Sequence, residues 1–386
     1  MFERLAAHRL RRLARAQRAL LILGPRQVGK TTLARLAFPR ARYVDLEAPA
    51  NQDWFAADPR HALDAIDAGT VILDEAQAVP GLFAALRGAI DEPRPRRKRF
   101  VPLGSAQPSL VRGVSESLAG RIGILELDPL LASEAATGPR PRAWKELWLR
   151  GGFPGALRGD FREWREAYLR LYVERDLPML GLETRPLLLR RLLTMLAHAQ
   201  GGLANASRLG AALGVSHNLV QRYLDILEQT FIIRRLPPFF VNVGKRLTKA
   251  PKIYIRDTGL LHHLLNIASL KVLDAHPARG ASWETFVLEE IVRREKLAHP
   301  FSQAYFWRTH AGAEIDLLLD RGNRRLALEI KAGSGRSAYL ARGLAAAAAD
   351  AKAQASWIVD QAQGEQTYRN RVRCRNFAED LTWLPR

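Results

Sequence analysis

A phosphate-binding motif lies close to the N-terminus. Residues 24–31 read GPRQVGKT and fit the pattern G-x-x-x-x-G-K-[ST] at every position, directly after an apolar run and before a helical pattern. Glycines let backbone N–H groups turn towards phosphate oxygens, and the start of the next helix adds partial positive charge. The motif predicts that ATP is held by Gly24, Pro25, Arg26, Gln27, Val28, Gly29, Lys30, Thr31 and Thr32. Lys30 is expected at the β- and γ-phosphates and Thr31 on Mg²⁺.

An apolar run that ends in two acids, residues 71–75 (VILDE), predicts the second half of the same site. Asp74, at the end of a buried strand, is suited to hold Mg²⁺, usually through its water shell. Glu75 is suited to polarise the attacking water as a general base. The two motifs together predict a protein that binds ATP with Mg²⁺ and hydrolyses it.

A second group of charged residues lies in the last third of the chain. Asp316 belongs to the run EID at 314–316, and Glu329 and Lys331 belong to the run EIK at 329–331. Residues two apart share one face of a strand, so these three side chains can meet if the strands pair. Two carboxylates bind a divalent cation such as Mg²⁺ or Mn²⁺, and a nearby lysine can activate water or stabilise phosphorane charge. A preceding helix at 283–290 can add Glu284.

This order of a helix glutamate, a strand aspartate and then E-x-K resembles the PD-(D/E)xK nuclease arrangement. The alternative is a set of solvated acids on edge strands. Cleavage does not follow from the resemblance, since such cores often lose activity while they keep these residues.

A helix-turn-helix pattern occupies residues 206–227. Gly214 is expected to make the turn and Ser216 to cap the second helix, whose inner face would carry Leu219, Tyr223, Ile226 and Leu227. A strand at 231–236 would complete a winged helix. The side chains that would face a DNA major groove are His217, Asn218, Gln221 and Arg222. The alternative is a winged helix that serves as a protein-packing module.

Strand and helix patterns alternate in the N-terminal third, which predicts a parallel α/β sheet. The expected strands are 19–23, 42–46, 70–73, 100–104 and 122–127, with helices at 2–18 and 31–38. Pro102 is expected at an edge or at a strand start, because proline cannot donate to a sheet ladder. Helical spacing dominates after Leu131, and strands return from about Ser302, at 305–307, 315–319, 326–330 and 355–359.

The segments GPRQVGKTTL, VILDEAQ, LGSAQPSL and ESLAGR occur in this order. They resemble prokaryotic AAA-type ATPases whose C-terminal half is a domain of unknown function with a restriction-endonuclease-like core, over nearly the whole chain. The resemblance implies a sensor-like role for Ser105, although the usual Thr-Gly-Ser is Leu-Gly-Ser here. It also implies that Arg121 neutralises charge on the γ-phosphate, within the subunit or from a neighbour in a homo-oligomer. The alternative for Arg121 is an ion pair with Glu116 or Glu126.

These patterns predict four segments. They are a P-loop AAA-type ATPase domain at 1–130, a helical lid or linker at 131–200, a winged helix-turn-helix at 201–245 and an α/β PD-(D/E)xK nuclease-like domain at 246–386. A D-x-G-L segment beginning at Asp257 is expected to be a structural junction.

Charge indicates a polyanionic partner. The 386 residues carry a net charge of +20, which favours nucleic acid, and DNA in particular. An arginine-rich proteome is the alternative source of the charge. The single cysteine, Cys374, excludes an intrachain disulfide and a cysteine-based zinc site. Because no apolar run reaches the roughly 18 residues of a membrane span, we expect a cytoplasmic protein without a membrane partner. The basic, proline-rich residues 91–99 are expected to form a surface loop.

Three functions remain open at this stage. The first is a Mg²⁺-dependent ATPase whose nucleotide state controls a DNA-binding, nuclease-like half. The second is an ATP-dependent DNA nuclease in defence or repair. The third is an ATP-regulated scaffold or regulator that cuts nothing.

Overall fold

The computed structural model describes residues 2–92, 98–105, 116–138, 142–180, 185–240, 250–309, 312–334 and 336–378. The chain divides into two compact units. The first unit is Met1–Leu130 with Phe153–Gly155 and Gln229–Phe231, and the second is Leu131–Gly152, Ala156–Glu228 and Ile232–Arg386. Most of the predicted basic loop (93–97) and of the LGSAQPSL segment (106–110) lies outside the described residues.

A parallel sheet forms the centre of the first unit. Its strands are β1 (Ala19–Leu23), β2 (Arg42–Asp45), β3 (Thr70–Asp74), β4 (Arg99–Gly104) and β5 (Ile122–Glu126). Among the described residues of this unit, the helices include α1 (Ala6–Ala16), α2 (Lys30–Ala37), α3 (Pro49–Ala57), α4 (Pro59–Ala65) and α5 (Leu82–Asp91). The strands are all parallel, in the order β2-β3-β4-β1-β5. This confirms the predicted parallel α/β sheet.

Burial of both faces explains why the first strand is a continuous apolar run. All five residues of β1 are buried, as is typical of parallel strands covered on both sides. Leu21 and Leu23 share a core with side chains of other strands of the sheet and of α5, among them Val71 and Leu73 of β3 and Phe83 of α5.

The expectation for Pro102 is wrong. This residue lies inside β4, which is an interior strand between β3 and β1. Pro102 stands opposite Leu73 of β3, while the pairing with β1 passes from Ala19–Phe100 to Ile22–Leu103. A parallel strand sends successive N–H groups alternately to its two neighbours, so one proline removes a single ladder bond and the other pairs hold the strand in place.

The second unit is a mixture of helices and two sheets. Its helices are α6 (Ala132–Ala136), α7 (Trp144–Arg150), α8 (Phe161–Leu171), α9 (Pro186–His198), α10 (Ala206–Leu213), α11 (His217–Gln229), α12 (Thr258–Leu264), α13 (Leu270–Ala275), α14 (Arg279–Ala298) and α15 (Ala338–Asp350). A π-helical turn, Tyr172–Asp176, and a short turn, Leu177–Met179, follow α8.

The strands of this unit are β6 (Ile233–Leu236), β7 (Lys252–Ile255), β8 (Gln303–Arg308), β9 (Glu314–Asp320), β10 (Arg325–Ile330), β11 (Ala355–Asp360), β12 (Gln366–Thr367) and β13 (Arg373–Asn376). The larger sheet is mixed, in the order β12-β13-β11-β10-β9-β8. Strands β8, β9 and β10 are antiparallel, whereas β10, β11 and β13 are parallel. The strands predicted after Ser302 are therefore present.

The helix-turn-helix elements form where the sequence predicts them. Gly214 ends α10 at φ 69°, and Ser216 Oγ accepts a hydrogen bond from Leu219 N at 3.2 Å. One expectation is wrong, since Leu219 is only half-buried and Val220 and Leu224 join the inner face instead. Strand β6 pairs antiparallel with β7. The winged-helix fold stays a prediction.

Asp257 ties two turns together. Its Oδ1 accepts from Leu260 N at 3.0 Å and its Oδ2 from Gly152 N at 2.8 Å. Gly151 has φ 78°, and a Cβ there would lie 2.1 Å from Asp257 Oδ1, so only glycine fits. Burial raises the pKa of Asp257 above its ordinary value. These contacts support the structural role expected of this segment.

Candidate functional site

The phosphate-binding loop connects β1 to α2. A Cβ on Gly24 would lie 2.2 Å from Leu127 O, so the close approach of the two backbones requires glycine. Gly29 has φ 95°, a left-handed conformation that glycine adopts without strain. The loop therefore has the shape that the motif predicts, and the N-terminus of α2 follows it directly.

Lys30 is buried and folds back on this loop. Its Nζ donates to Gly24 O at 3.1 Å and to Pro25 O at 2.9 Å. Burial lowers the pKa of Lys30 to about 8, although Glu75 and Asp74 act in the opposite direction. Phosphate oxygens are stronger acceptors for an ammonium than these carbonyls, so Lys30 is placed to transfer its hydrogen bonds to a nucleotide.

Asp74 is held by three donors at the end of β3. Its Oδ2 accepts from Thr31 Oγ1 at 2.7 Å and from Tyr43 OH at 2.9 Å, and its Oδ1 accepts from Glu75 N at 3.1 Å. A carboxylate beside a threonine hydroxyl is the donor set expected for Mg²⁺ at a P-loop. The carboxyl ends of parallel strands meet at one edge of the sheet, which brings these residues together.

Sequence reasoning missed Tyr43. Burial, followed by its hydrogen bond to Asp74, raises the pKa of Tyr43 to about 12. The Arg35 guanidinium lies 3.9 Å from the centre of the tyrosine ring. Tyr43 therefore fixes the orientation of the Asp74 carboxylate. Only its place in the strand next to β3 marks it, and that neighbour relation is not visible in the sequence.

Glu75 has the left-handed backbone conformation, with φ 52°. Such sparsely populated conformations in residues other than glycine cluster at functional sites. Gln77 Nε2 donates to Glu75 Oε2 and so orients the carboxylate. The geometry is compatible with the predicted role of Glu75 as the base.

Ser105 and Arg121 are the two remaining residues predicted for the ATP site. Ser105 follows β4, and its buried Oγ has no hydrogen-bond partner among the described residues. Arg121 Nε donates to Asp91 Oδ1 at 2.7 Å on the protein surface. The alternative for Arg121 was an ion pair with Glu116 or Glu126, and the structure shows an ion pair with Asp91, the last residue of α5. The role of Arg121 at the γ-phosphate stays a prediction.

The second group of predicted residues comes together in the second unit. Lys331 Nζ lies 2.6 Å from Glu329 Oε1 and 3.9 Å from Asp316 Oδ2. Ile330 N donates to Asp316 Oδ2 at 2.8 Å. The antiparallel pairing of β9 with β10 brings the two carboxylates to the same face. Burial, and then the charge of Asp316, raises the pKa of Glu329 to about 8.

Glu284, on α14, joins this group through two residues that the sequence analysis did not single out. Glu284 Oε1 accepts from Tyr254 OH at 2.6 Å and lies 3.3 Å from Lys252 Nζ. Lys252 Nζ also lies 2.6 Å from Glu314 Oε1 and 3.8 Å from Asp316 Oδ1. Burial, and then the charge of Asp316, raises the pKa of Glu284 to about 7. We call these six residues (252, 284, 314, 316, 329 and 331) the carboxylate cluster.

Within the part of the chain that the structure describes, no three histidine, cysteine, aspartate or glutamate side chains are arranged to hold a metal ion as they stand. Mg²⁺ is commonly bound through one or two carboxylates, with water and substrate phosphates as further ligands. Asp316 and Glu329 fit that mode of binding, since both are hard oxygen donors that already contact one cationic group.

The predicted DNA-contacting residues lie at the start of α11. His217, Asn218 and Arg222 are exposed, whereas Gln221 is half-buried. Across the described ranges, no helix is both long enough and apolar enough to span a bilayer.

Comparison with known proteins gives three matching family models along the chain. An AAA domain model matches residues 16–136. Two models described as domains of unknown function, DUF8612 and DUF4143, match residues 141–271 and 279–377.

Two mycobacterial relatives are 42% identical to this chain over 333 residues, which is 84% of this chain and 73% of each relative. They are the Uncharacterized protein Rv2008c of Mycobacterium tuberculosis and the Uncharacterized protein Mb2031c of Mycobacterium bovis. Among solved structures, the Walker-type ATPase paby2304 of Pyrococcus abyssi is 17% identical with a TM-score of 0.49, over 69% of this chain and 96% of that one. At this distance the likeness does not bear on function.

The parallel sheet, the P-loop and the Thr31–Asp74 contact, together with the AAA domain match, define the first unit as an AAA-type P-loop ATPase domain. Such a domain implies binding of ATP with Mg²⁺ and hydrolysis of ATP. The chain as a whole belongs to the family of the mycobacterial protein Rv2008c.

Proposed function

We propose that this protein is a Mg²⁺-dependent ATPase whose nucleotide state controls a DNA-binding, nuclease-like C-terminal half. The observation that carries the proposal is the grouping of Asp316, Glu329 and Lys331 on one face of the mixed sheet. Two carboxylates and a lysine suit hydrolysis of a phosphodiester, because that reaction develops negative charge on phosphate oxygens.

Each residue of the cluster has a separate task in that reaction. Asp316 and Glu329 would hold a divalent cation, which when bound would polarise the phosphate. Lys331, which is partly exposed, would stabilise the charge of the phosphorane and orient the attacking water. The oxygen of water bonds to phosphorus while the bond from phosphorus to one ester oxygen breaks, and one proton of the water ends on the departing ester oxygen as an alcohol.

Charge supports nucleic acid as the substrate class. The net charge of +20 favours a polyanion, and His217, Asn218 and Arg222 present polar and cationic groups at the start of α11, as a recognition helix would. DNA is the simplest ligand that engages both this helix and a phosphodiester-cleaving site. We place ATP control in the first unit, through Lys30, Asp74 and Glu75.

Supercoiled plasmid tests the proposal. The parent chain is incubated with plasmid and Mg²⁺ or Mn²⁺, with and without ATP, beside Asp316→Asn, Lys331→Ala and the exposed-lysine control Lys271→Ala. We expect nicking or linearisation that Asp316→Asn and Lys331→Ala abolish and Lys271→Ala retains, at a rate that ATP changes. A strict need for ATP hydrolysis would indicate an ATP-dependent nuclease.

The same reaction shows whether the chain instead acts as a scaffold. A DNA-binding titration with and without ATP completes the test. Intact plasmid in every reaction, together with an affinity for DNA that ATP does not alter, would contradict the proposal and leave the scaffold or regulator that cuts nothing.

A further inference from the structure

Lys252 has a side chain that none of the predicted roles uses. It begins β7, where its backbone pairs with Leu236 of β6 on one side and forms a bridge with Leu203 on the other. The residue is only 4% exposed. A buried lysine is rare unless it is paired. The paired backbone of β7 therefore holds the Lys252 side chain in the interior of the second unit, where it needs acidic partners.

The ammonium of Lys252 is surrounded by oxygen donors. It lies 2.6 Å from Glu314 Oε1, 3.3 Å from Glu284 Oε1 and 3.8 Å from Asp316 Oδ1. The Phe306 ring faces it, with its centre 5.6 Å from Nζ. Burial alone would lower the pKa of Lys252, but the charges of Glu284, Asp316 and Glu314 outweigh burial and raise it. Three carboxylates therefore surround the Lys252 ammonium, which supplies a positive charge at the centre of this group.

A bound metal ion is also surrounded by carboxylates, as the Lys252 ammonium is here. A divalent ion draws its oxygen ligands to about 2.0–2.6 Å, and it cannot share that space with an ammonium. The carboxylate cluster holds four carboxylates and two lysines. The buried Lys252 ammonium already occupies the space between Glu284 and Glu314, whereas Asp316 and Glu329 face the more exposed Lys331.

We propose that Lys252 is the built-in counter-cation of the carboxylate cluster, and that it limits the cluster to one divalent cation on the side of Asp316 and Glu329. The proposal rests on the nuclease-like site described under Proposed function. In this arrangement Glu284 and Glu314 position Lys252 and do not ligate the metal.

Binding of Mn²⁺ tests this assignment without reference to activity. Full-length proteins carrying Asp74→Asn, to remove the Mg²⁺-holding carboxylate of the ATP site, are titrated with Mn²⁺ in the absence of nucleotide, and free Mn²⁺ is followed by electron paramagnetic resonance. Mn²⁺ binding by the parent, which keeps Lys252, is compared with binding by two variants. Lys252→Met keeps the length of the side chain but not its charge, and Lys252→Arg keeps the charge.

We expect Lys252→Met to bind Mn²⁺ at least about tenfold more tightly than its parent, or to bind one additional ion, because a nearby positive charge is gone. Lys252→Arg is expected to match the parent. A lysine with only a packing role would lose binding on substitution and would not gain it. Lys252→Met binding no more tightly than the parent would overturn the proposal.

The outcomes separate this inference from the proposed function. If the parent binds one Mn²⁺ but cleaves no plasmid, and Lys252→Met binds Mn²⁺ more tightly or binds one additional ion, the nuclease proposal fails and the counter-cation role stands. If the parent binds Mn²⁺ and cleaves plasmid but Lys252→Met binds Mn²⁺ no more tightly, the nuclease proposal stands and the counter-cation role fails.

A second variant covers the case in which Lys252→Met does not fold. Lys252→Met with Glu284→Gln removes one charge of each sign, so it should recover the thermal stability that the single change loses. Failure of both Glu284→Gln and added Mn²⁺ to restore folding would show that Lys252 acts through packing, and would contradict the proposal.

Discussion

Glu289 is a buried carboxylate of the second unit that we expect to contribute strongly to stability. This residue of α14 is 2% exposed and receives hydrogen bonds from three guanidinium groups. Arg234 donates from β6, Arg256 Nε lies 3.2 Å away just after β7, and Arg293 Nε lies 3.0 Å away one turn along α14. Glu289 and its three arginines connect α14, which carries Glu284, to β7, which carries Lys252.

We expect Glu289→Gln to lower the free energy of unfolding by about 3–5 kcal/mol, since it removes the buried carboxylate charge that three buried or nearly buried guanidinium groups contact. The matched control is Glu174→Gln, which removes the charge from an exposed i,i+4 pair with Arg170. That pair should contribute less than about 0.5 kcal/mol.

The effect has a predicted pH dependence. Burial alone would raise the pKa of Glu289, but Arg234, Arg256 and Arg293 outweigh it and hold this pKa well below its ordinary value. A depressed pKa in the folded state gives stability that is present above the unfolded value of about 4.3 and is lost as the pH falls towards the folded value. The difference between parent and Glu289→Gln should therefore be constant above about pH 5 and shrink below about pH 4.

Urea unfolding followed by tryptophan fluorescence measures both quantities. The described tryptophans of the second unit, which dominate the signal, are Trp144, Trp148, Trp164, Trp283, Trp307 and Trp357. If Glu289→Gln costs no more stability than Glu174→Gln, or if the difference does not shrink in acid, the reasoning about this buried cluster is refuted.

Two further predictions concern the ATP site and the DNA surface. Tyr43→Phe should raise the Mg²⁺ concentration needed for half-maximal ATP turnover by about tenfold, because Asp74 loses an orienting hydrogen bond; an unchanged Mg²⁺ titration would remove Tyr43 from the site. Fluorescence anisotropy at two salt concentrations should show DNA binding that weakens steeply with salt, and Arg222→Ala should weaken it further; no binding even at low salt would leave the charge as a feature of composition.

Local signals made most of the ATP site predictable. A P-loop is contiguous, and its glycines, Lys30 and Thr31 follow from one short pattern. The sequence also allowed Asp316, Glu329 and Lys331 to be predicted as neighbours, because strand alternation places residues two apart on one face.

The residues that were missed depend on contacts between distant segments. Tyr43 acts through the pairing of β2 with β3, and Arg121 finds Asp91 because of where α5 ends. Lys252 and Tyr254 share a face of β7 by the same alternation rule, but the sequence does not reveal that this face meets Glu284. Pro102 was misjudged because strand order in a sheet is a tertiary property.

Phosphate release compared with nucleotide binding is the most direct test of the ATPase assignment. Lys30→Ala should lose most of its affinity for ATP. Glu75→Gln should bind ATP as the parent does and turn over about 10²–10⁴ times more slowly, because the base is lost while the phosphate loop and Asp74 remain. The exposed-residue control Glu163→Gln should behave as the parent. Turnover by Glu75→Gln at the parental rate would contradict the assignment of the base and, with it, the mechanism proposed for this domain.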